Sequence, residues 1–287
     1  MSVVVEEVRF SLPHIELAAH VFGPEDGQPV LALHGWLDNA MTYARLAPKL
    51  EGLRIVALDF AGHGHSGHYA LGSSYSLWEL AEDVLLVAEQ LGWERFSLLG
   101  HSLGAIVSIL VAASLPERIE RLALIDGLLP YTSEAESAPQ RLGEALKARL
   151  GVREKRKPVY NDVDRAVEAR MRGVVAVSRE AAELLAQRGL EPVPGGYTWR
   201  TDIRLTLPSL IRLTKAQAEQ FVKSVRCPTT LALANDGYIA AESSVTSLLA
   251  ELPFDIQYFP GGHHLHLNDE EGARLVADCF NRFFSAA

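Results

Sequence analysis

The chain has 287 residues, 48% hydrophobic and 22% charged, which is enough for one large core or two small domains. A formal charge of −9 argues against a nucleic-acid partner, which would need a basic face to meet phosphates. No run of about 18 uncharged apolar residues is present, so no membrane span is expected, and Cys227 and Cys279 are too few for a disulfide framework. Residues 1–10 carry Glu6 and Glu7 and no apolar run of signal-peptide length, which reads as an unprocessed cytoplasmic protein.

Apolar-rich segments at 3–12 and 15–22, closed by the Gly-Pro-Glu-Asp-Gly turn at 23–27, read as an antiparallel lead-in to a sheet. The pattern then changes. Short apolar runs without alternation lie at 30–33, 54–58, 96–99, 122–125 and 230–233, as in strands buried on both faces. Helical periodicity lies between most of them, most clearly at 77–91, where Leu77, Leu80, Ala81, Val84, Ala88 and Leu91 share one face. This alternation implies right-handed crossovers and an α/β fold with a mostly parallel central sheet flanked by helices.

The regularity breaks between residues 128 and 222. Helical patches at 134–150, 161–172 and 179–188 and a loop at 191–196 contain no convincing buried strand, and the strand–helix pattern resumes at Cys227. The chain therefore divides into a core, 1–128 and 223–287, and a helical insertion, 129–222, of the kind that forms a lid. Within it, Arg153-Glu154-Lys155-Arg156-Lys157 is locally basic. A solvated face is the simpler reading of that run, and a funnel for an anionic substrate is the other. Tyr131, Tyr160, Tyr197 and Trp199 could line an acyl pocket or pack in the core, and Arg200, Asp202 and Arg204 read as a structural ion-pair cluster.

The residues that carry chemistry sit at strand ends. Gly100-His101-Ser102-Leu103-Gly104 matches G-x-S-x-G between the strand at 96–99 and a helix at 103–115. That spelling suits a strained turn that lifts the Ser102 hydroxyl above the sheet, with glycines where side chains would collide. His34-Gly35-Trp36 ends the strand at 30–33. Backbone N–H groups of Trp36 or Leu37, together with Leu103, are candidates for holding a developing oxyanion. After a short strand at 256–259 comes Gly262-His263-His264-Leu265-His266, ahead of a final helix at 270–284. His263 is the candidate base, His264 the next choice, and His266 is expected to pack or bond locally at the start of the last helix.

An imidazole base needs a carboxylate to fix its tautomer, and two aspartates compete. Asp126 directly follows the strand at 122–125, where a cap on the insertion's first turn is the plainer role. Asp236 lies 27 residues before His263, the usual place, but in an abnormal loop, Ala234-Asn235-Asp236-Gly237. The usual form has Gly at the strand end and Asp three residues on; here Ala234 and Gly237 stand there. The balance tips slightly to Asp126.

Three strings together resemble the serine hydrolase-like proteins of the α/β-hydrolase superfamily: His34-Gly35-Trp36-Leu37-Asp38-Asn39-Ala40, Gly100 to Gly104, and Gly262 to His266. Asp59-Phe60-Ala61-Gly62-His63-Gly64-His65-Ser66 is similar to the superfamily's D-x-x-G-x-G-x-S turn. The resemblance implies the α/β-hydrolase fold and a Ser/His/Asp triad on Ser102 and His263, without implying a substrate. Superfamily members that attack alkyl carbon carry Asp at the elbow, whereas Ser102 suits acyl carbon and so a small-molecule acyl substrate.

Two rival readings remain. His63, His65 and His68 have the H-x-H-x-x-H spacing of a dinuclear zinc site, but Gly67 stands where a ligating Asp would be expected. A non-enzymatic binder on a hydrolase frame would usually lack a triad member. No cofactor is expected, because no phosphate-cradling glycine motif, metal cluster or cofactor lysine stands out. Oligomeric state is not legible.

Overall fold

The computed structural model describes residues 6–239 and 243–286. Residues 3–5 of the expected first segment lie outside the described residues. The main sheet has eight strands in the order β1-β2-β4-β3-β5-β6-β9-β10. β1 (Glu6–Ser11) and β2 (Glu16–Phe22) form the antiparallel lead-in, and β2 joins β4 (Leu53–Leu58) antiparallel. From there β3 (Gln28–Leu33), β5 (Phe96–His101), β6 (Ile119–Ile125), β9 (Thr229–Ala234) and β10 (Asp255–Phe259) run parallel to β4 and to one another.

The central strands are buried on both faces, and the two faces differ in size. Leu31, Leu33, Leu58, Leu98, Leu124, Leu231 and Leu233 point to the side packed by α1 (Leu77–Gln90), α2 (Leu103–Ser114) and α6 (Lys215–Ser224). The residues between them, among them Ala32, Ala57, Ala123, Ala232 and Ala234, face α9 (Glu270–Ser285). Small side chains on that face leave room for Tyr43 and Phe280, both fully buried. Each fully buried leucine contributes roughly 2 kcal/mol. α1 begins with a capping box in which Ser76 and Glu79 bond each other's backbone N–H.

The inserted segment holds α3 (Ala138–Leu150), α4 (Val163–Met171), α5 (Arg179–Gly189) and a hairpin of β7 (Leu190–Val193) and β8 (Gly196–Trp199). The hairpin replaces the loop expected at 191–196. Pro194-Gly195 supplies its turn, with Gly195 at φ 93° and Gly196 at φ 142°. α6, at the end of the expected insertion, packs on α2, and its Val222 belongs to the main core. Val167, Leu185 and their neighbours on α4 and α5 form a separate core that reaches Leu267 on α8 (Leu265–Asn268). Arg188 of α5 ties the insertion to the sheet: its guanidinium contacts Asp59 Oδ2 at 2.6 Å, Glu7 Oε2 at 2.6 Å and His20 Nε2 at 2.7 Å.

Candidate active site

β5 ends at His101 and α2 begins at Leu103, which leaves Ser102 on a one-residue corner at φ 52°, ψ −113°. Its neighbours require glycine. A Cβ on Gly100 would lie 2.6 Å from the Ala105 backbone, and one on Gly104 would run into the Leu33 carbonyl. Ser102 N–H donates to the Ile125 carbonyl at 3.1 Å, so the corner is bonded to the end of β6. Among the described residues, three that are not glycine have positive φ: Leu37 at 62°, Ser102 at 52° and Asp126 at 38°. Such backbone costs on the order of 1–3 kcal/mol per residue and clusters where geometry serves chemistry.

Asp126 stands directly after β6 and is fully buried, and its Oδ2 lies 2.6 Å from His263 Nδ1. Its Oδ1 accepts the Ala234 N–H at 3.3 Å. An acceptor at that distance favours the tautomer with its proton on Nδ1, which leaves Nε2 able to accept one. The abnormal loop after β9 now has a physical reason. A Cβ on Gly237 would lie 2.5 Å from both carboxylate oxygens of Asp126. A side chain at position 237 would therefore collide with the Asp126 carboxylate, which comes from the end of the neighbouring strand. Asp236 is exposed; its N–H donates to the Gly261 carbonyl at 3.0 Å, and its carboxylate has no hydrogen-bond partner among the described residues. Of the two candidate acids, Asp126 is the one that meets His263.

The three histidines of the last loop separate cleanly. His263 keeps 10% of its side chain exposed, under the edge of the Tyr238 ring at 5.0 Å between centroids. His264 is buried, with Nε2 at 2.9 Å from Asp38 Oδ2. His266 lies 3.3 Å from Thr42 Oγ1, so it bonds to the turn after β3 rather than locally. His101, inside the elbow motif, sets Nε2 at 3.0 Å from the His263 carbonyl, and the two rings are 4.7 Å apart. That contact holds the base loop against the elbow. No hydrogen bond joins the Ser102 hydroxyl to the His263 ring among the described residues; in unliganded sites such bonds commonly form only with substrate.

The candidate oxyanion donors also separate. Leu37 N–H donates to His63 Nε2 at 3.2 Å, while His63 Nδ1 lies 3.0 Å from the Ala61 carbonyl. Burial lowers the His63 pKa from its ordinary 6.5 to about 3, so the ring is neutral, donating from Nδ1 and accepting at Nε2. The Leu37 amide is therefore already bonded. The backbone N–H groups of Trp36 and Leu103 have no partner among the described residues. Leu103 also opens α2, whose first turn adds a positive dipole end.

The model of the α/β hydrolase fold family matches residues 28–270. The chain belongs to the α/β-hydrolase family. This hydrolase is 32% identical over 286 residues to a serine hydrolase-like protein of Danio rerio, covering 96% of this chain and 87% of that one. A crystal structure of a hypothetical protein from Pseudomonas aeruginosa PAO1 is 72% identical with a TM-score of 0.97, covering 98% of this chain and 100% of that one. A thioesterase domain from the curacin biosynthetic pathway is 26% identical with a TM-score of 0.84, covering 96% of this chain and 98% of that one.

Around the site of this hydrolase, a buried carboxylate that the motif reading passed over links three parts of the chain. Asp38 Oδ1 is held by Arg170 Nη2 of α4 at 2.7 Å and Oδ2 by His264 at 2.9 Å. These partners keep the Asp38 carboxyl well below the usual carboxylate range against the cost of burial. Its only sequence signal is its place in the H-G-W-L-D-N-A string. By residue type Asp38, His101 and His264 could hold a cation, but Arg170 and His264 already meet the Asp38 charge. The H-x-H-x-x-H run does not build one ligand set. His63 faces Leu37 and Ala61, His65 lies 2.9 Å from Glu7, and His68 lies 3.0 Å from the Arg200 carbonyl.

The expected ion cluster reduces to Asp202 and Arg204, 2.6 Å apart, while Arg200 turns to Glu191 at 3.6 Å. A cavity of about 460 Å³ lies in the insertion and touches the site loop at Leu37, with Tyr160 and Trp199 among its walls. Tyr131 is 86% exposed and lines nothing there. No helix among the described residues is long and apolar enough to cross a membrane.

Proposed function

We propose that this hydrolase cleaves a carboxylic ester or related acyl bond through a Ser102–His263–Asp126 triad and an acyl-enzyme intermediate. The observation that carries this reading is the strain pattern: positive φ falls on Leu37, Ser102 and Asp126, one in each of three loops at the ends of β3, β5 and β6. His263 Nε2 takes the Ser102 proton as Oγ adds to the carbonyl carbon. The Trp36 and Leu103 amides receive the oxyanion, a contribution of about 3–4 kcal/mol per donor. Asp126 steadies the imidazolium, which returns the proton to the departing alcohol or thiol. Water, deprotonated by the same ring, then releases the acid and restores Ser102. The segment 129–222, less α6, acts as a lid over these loops.

The thioesterase domain named above supports including thioesters among the candidates. A chain-length series of p-nitrophenyl esters, run beside thioesters and lactones, tests the reading. We expect turnover of at least one class, and its loss in a folded Ser102→Ala variant. Turnover surviving that change removes the proposal. Absence of turnover and of covalent labelling would favour a non-enzymatic binder.

A further inference from the structure

The cavity that touches Leu37 is also lined by the basic residues 155–157. Its volume, about 460 Å³, falls within the range of small-molecule sites. Most of its wall is apolar, supplied by Pro158, Tyr160, Ala169, Trp199 and Ile203. Three of the charged groups that line it are already matched. Asp202 is held by Arg204 at 2.6 Å and by the Tyr75 hydroxyl at 2.8 Å. Arg170 is spent on Asp38 at 2.7 Å. Lys157 donates to the Trp199 carbonyl at 2.7 Å and lies 3.6 Å from Glu191.

Lys155 and Arg156 are different. Neither has a carboxylate within salt-bridge reach among the described residues, and Arg156 donates only to the Arg153 and Lys155 carbonyls, at 2.7 and 3.0 Å. In a chain of formal charge −9, two cations with no carboxylate partner among the described residues line a largely apolar cavity that also touches Leu37, the residue after Trp36. The basic run, read as a solvated face or as a funnel for an anionic substrate, is exposed at 153–156 and also lends residues 155–157 to the wall of this cavity.

We infer that the substrate of this hydrolase carries an anionic group, a carboxylate or phosphate, which Lys155 and Arg156 hold at the wall of this cavity. The inference rests on the proposed acyl hydrolysis. Arg156 offers a planar fork and Lys155 a point charge, and both suit an oxyacid. The apolar residues that share the cavity with them suit the aliphatic stretch joining that anion to the acyl carbon.

The test compares kcat/KM within two matched pairs. One places the anion on the acyl side: the p-nitrophenyl monoester of glutaric acid against its methyl-capped diester. The other places it on the leaving group: butyryl-coenzyme A against the butyryl thioester of N-acetylcysteamine. We expect the anionic member of at least one pair to be favoured about tenfold, the scale of two solvent-screened ion pairs. That ratio should fall to about threefold or less in K155Q/R156Q, and in wild type when salt is raised to about 0.5 M. K155E/R156E should push it below one. No preference for either anion, or a preference that survives K155Q/R156Q, overturns the inference while leaving acyl hydrolysis standing. No turnover of any member, with no adduct on Ser102, overturns both.

Discussion

Asp126→Asn isolates the one role that two aspartates contest in the sequence. The substitution keeps size and shape. Its amide oxygen can still accept the Ala234 N–H, which now reaches Asp126 Oδ1 at 3.3 Å. With the oxygen so engaged, the NH2 group faces His263 Nδ1, where a carboxylate oxygen lies at 2.6 Å. An N–H donor there requires Nδ1 to accept, and the ring proton moves to Nε2, the nitrogen that must receive the Ser102 proton. The variant should fold and lose about 10⁴-fold in kcat, equivalent to roughly 5 kcal/mol of transition-state stabilisation. Asp236→Asn, altering an exposed carboxylate with no hydrogen-bond partner among the described residues, should stay within about twofold, as surface changes do. Ester kcat for the two variants, with melting curves to verify folding, decides the point. A loss under about tenfold in Asp126→Asn, or a severe one in Asp236→Asn, would refute the reasoning.

Other expectations concern stability. Arg188→Ala leaves the fully buried Asp59 carboxylate without its guanidinium, and should cost about 3–5 kcal/mol in urea unfolding; a loss under about 1 kcal/mol would mean the tie between insertion and sheet carries little. Acid should also destabilise the fold. Burial lowers His20 to about 4 and His63 to about 3, so folded protein keeps both neutral while the unfolded chain protonates near 6.5. Their contribution is fully present above pH 6.5 and is lost as pH falls toward the folded values, about 2 kcal/mol from each by pH 5. Glu7, lowered to about 2 by Arg188 and His65 despite partial burial, adds to the loss below pH 4.5. A melting temperature that stays flat from pH 7 to pH 5 would contradict the neutral, buried histidines.

Much of this site was legible because its signals are local. The glycines at 100 and 104 report the elbow directly, since the clashes they avoid involve backbone within a few residues or on the adjacent strand. The Asp126–His263 contact was only half legible. Ala234 and Gly237 mark an irregular loop, but that Gly237 makes room for Asp126 depends on the β6–β9 pairing. The choice between Trp36 and Leu37 was hidden for a similar reason: the acceptor for the Leu37 amide lies 26 residues away, on His63. The hairpin at β7 and β8 escaped because Pro192 sits inside a half-buried, four-residue strand, where proline argues against a strand and periodicity has no length to register. That α6 packs on α2 was not legible, because α6 is amphipathic like the helices before it.

The most direct test is to expose the folded protein to a fluorophosphonate and map the adduct by peptide mass spectrometry. Phosphonylation on Ser102, slowed at least about 100-fold in His263→Ala, is the outcome expected of a hydroxyl and an imidazole that work as one reacting pair. An unmodified Ser102, or a rate indifferent to the loss of His263, would contradict it.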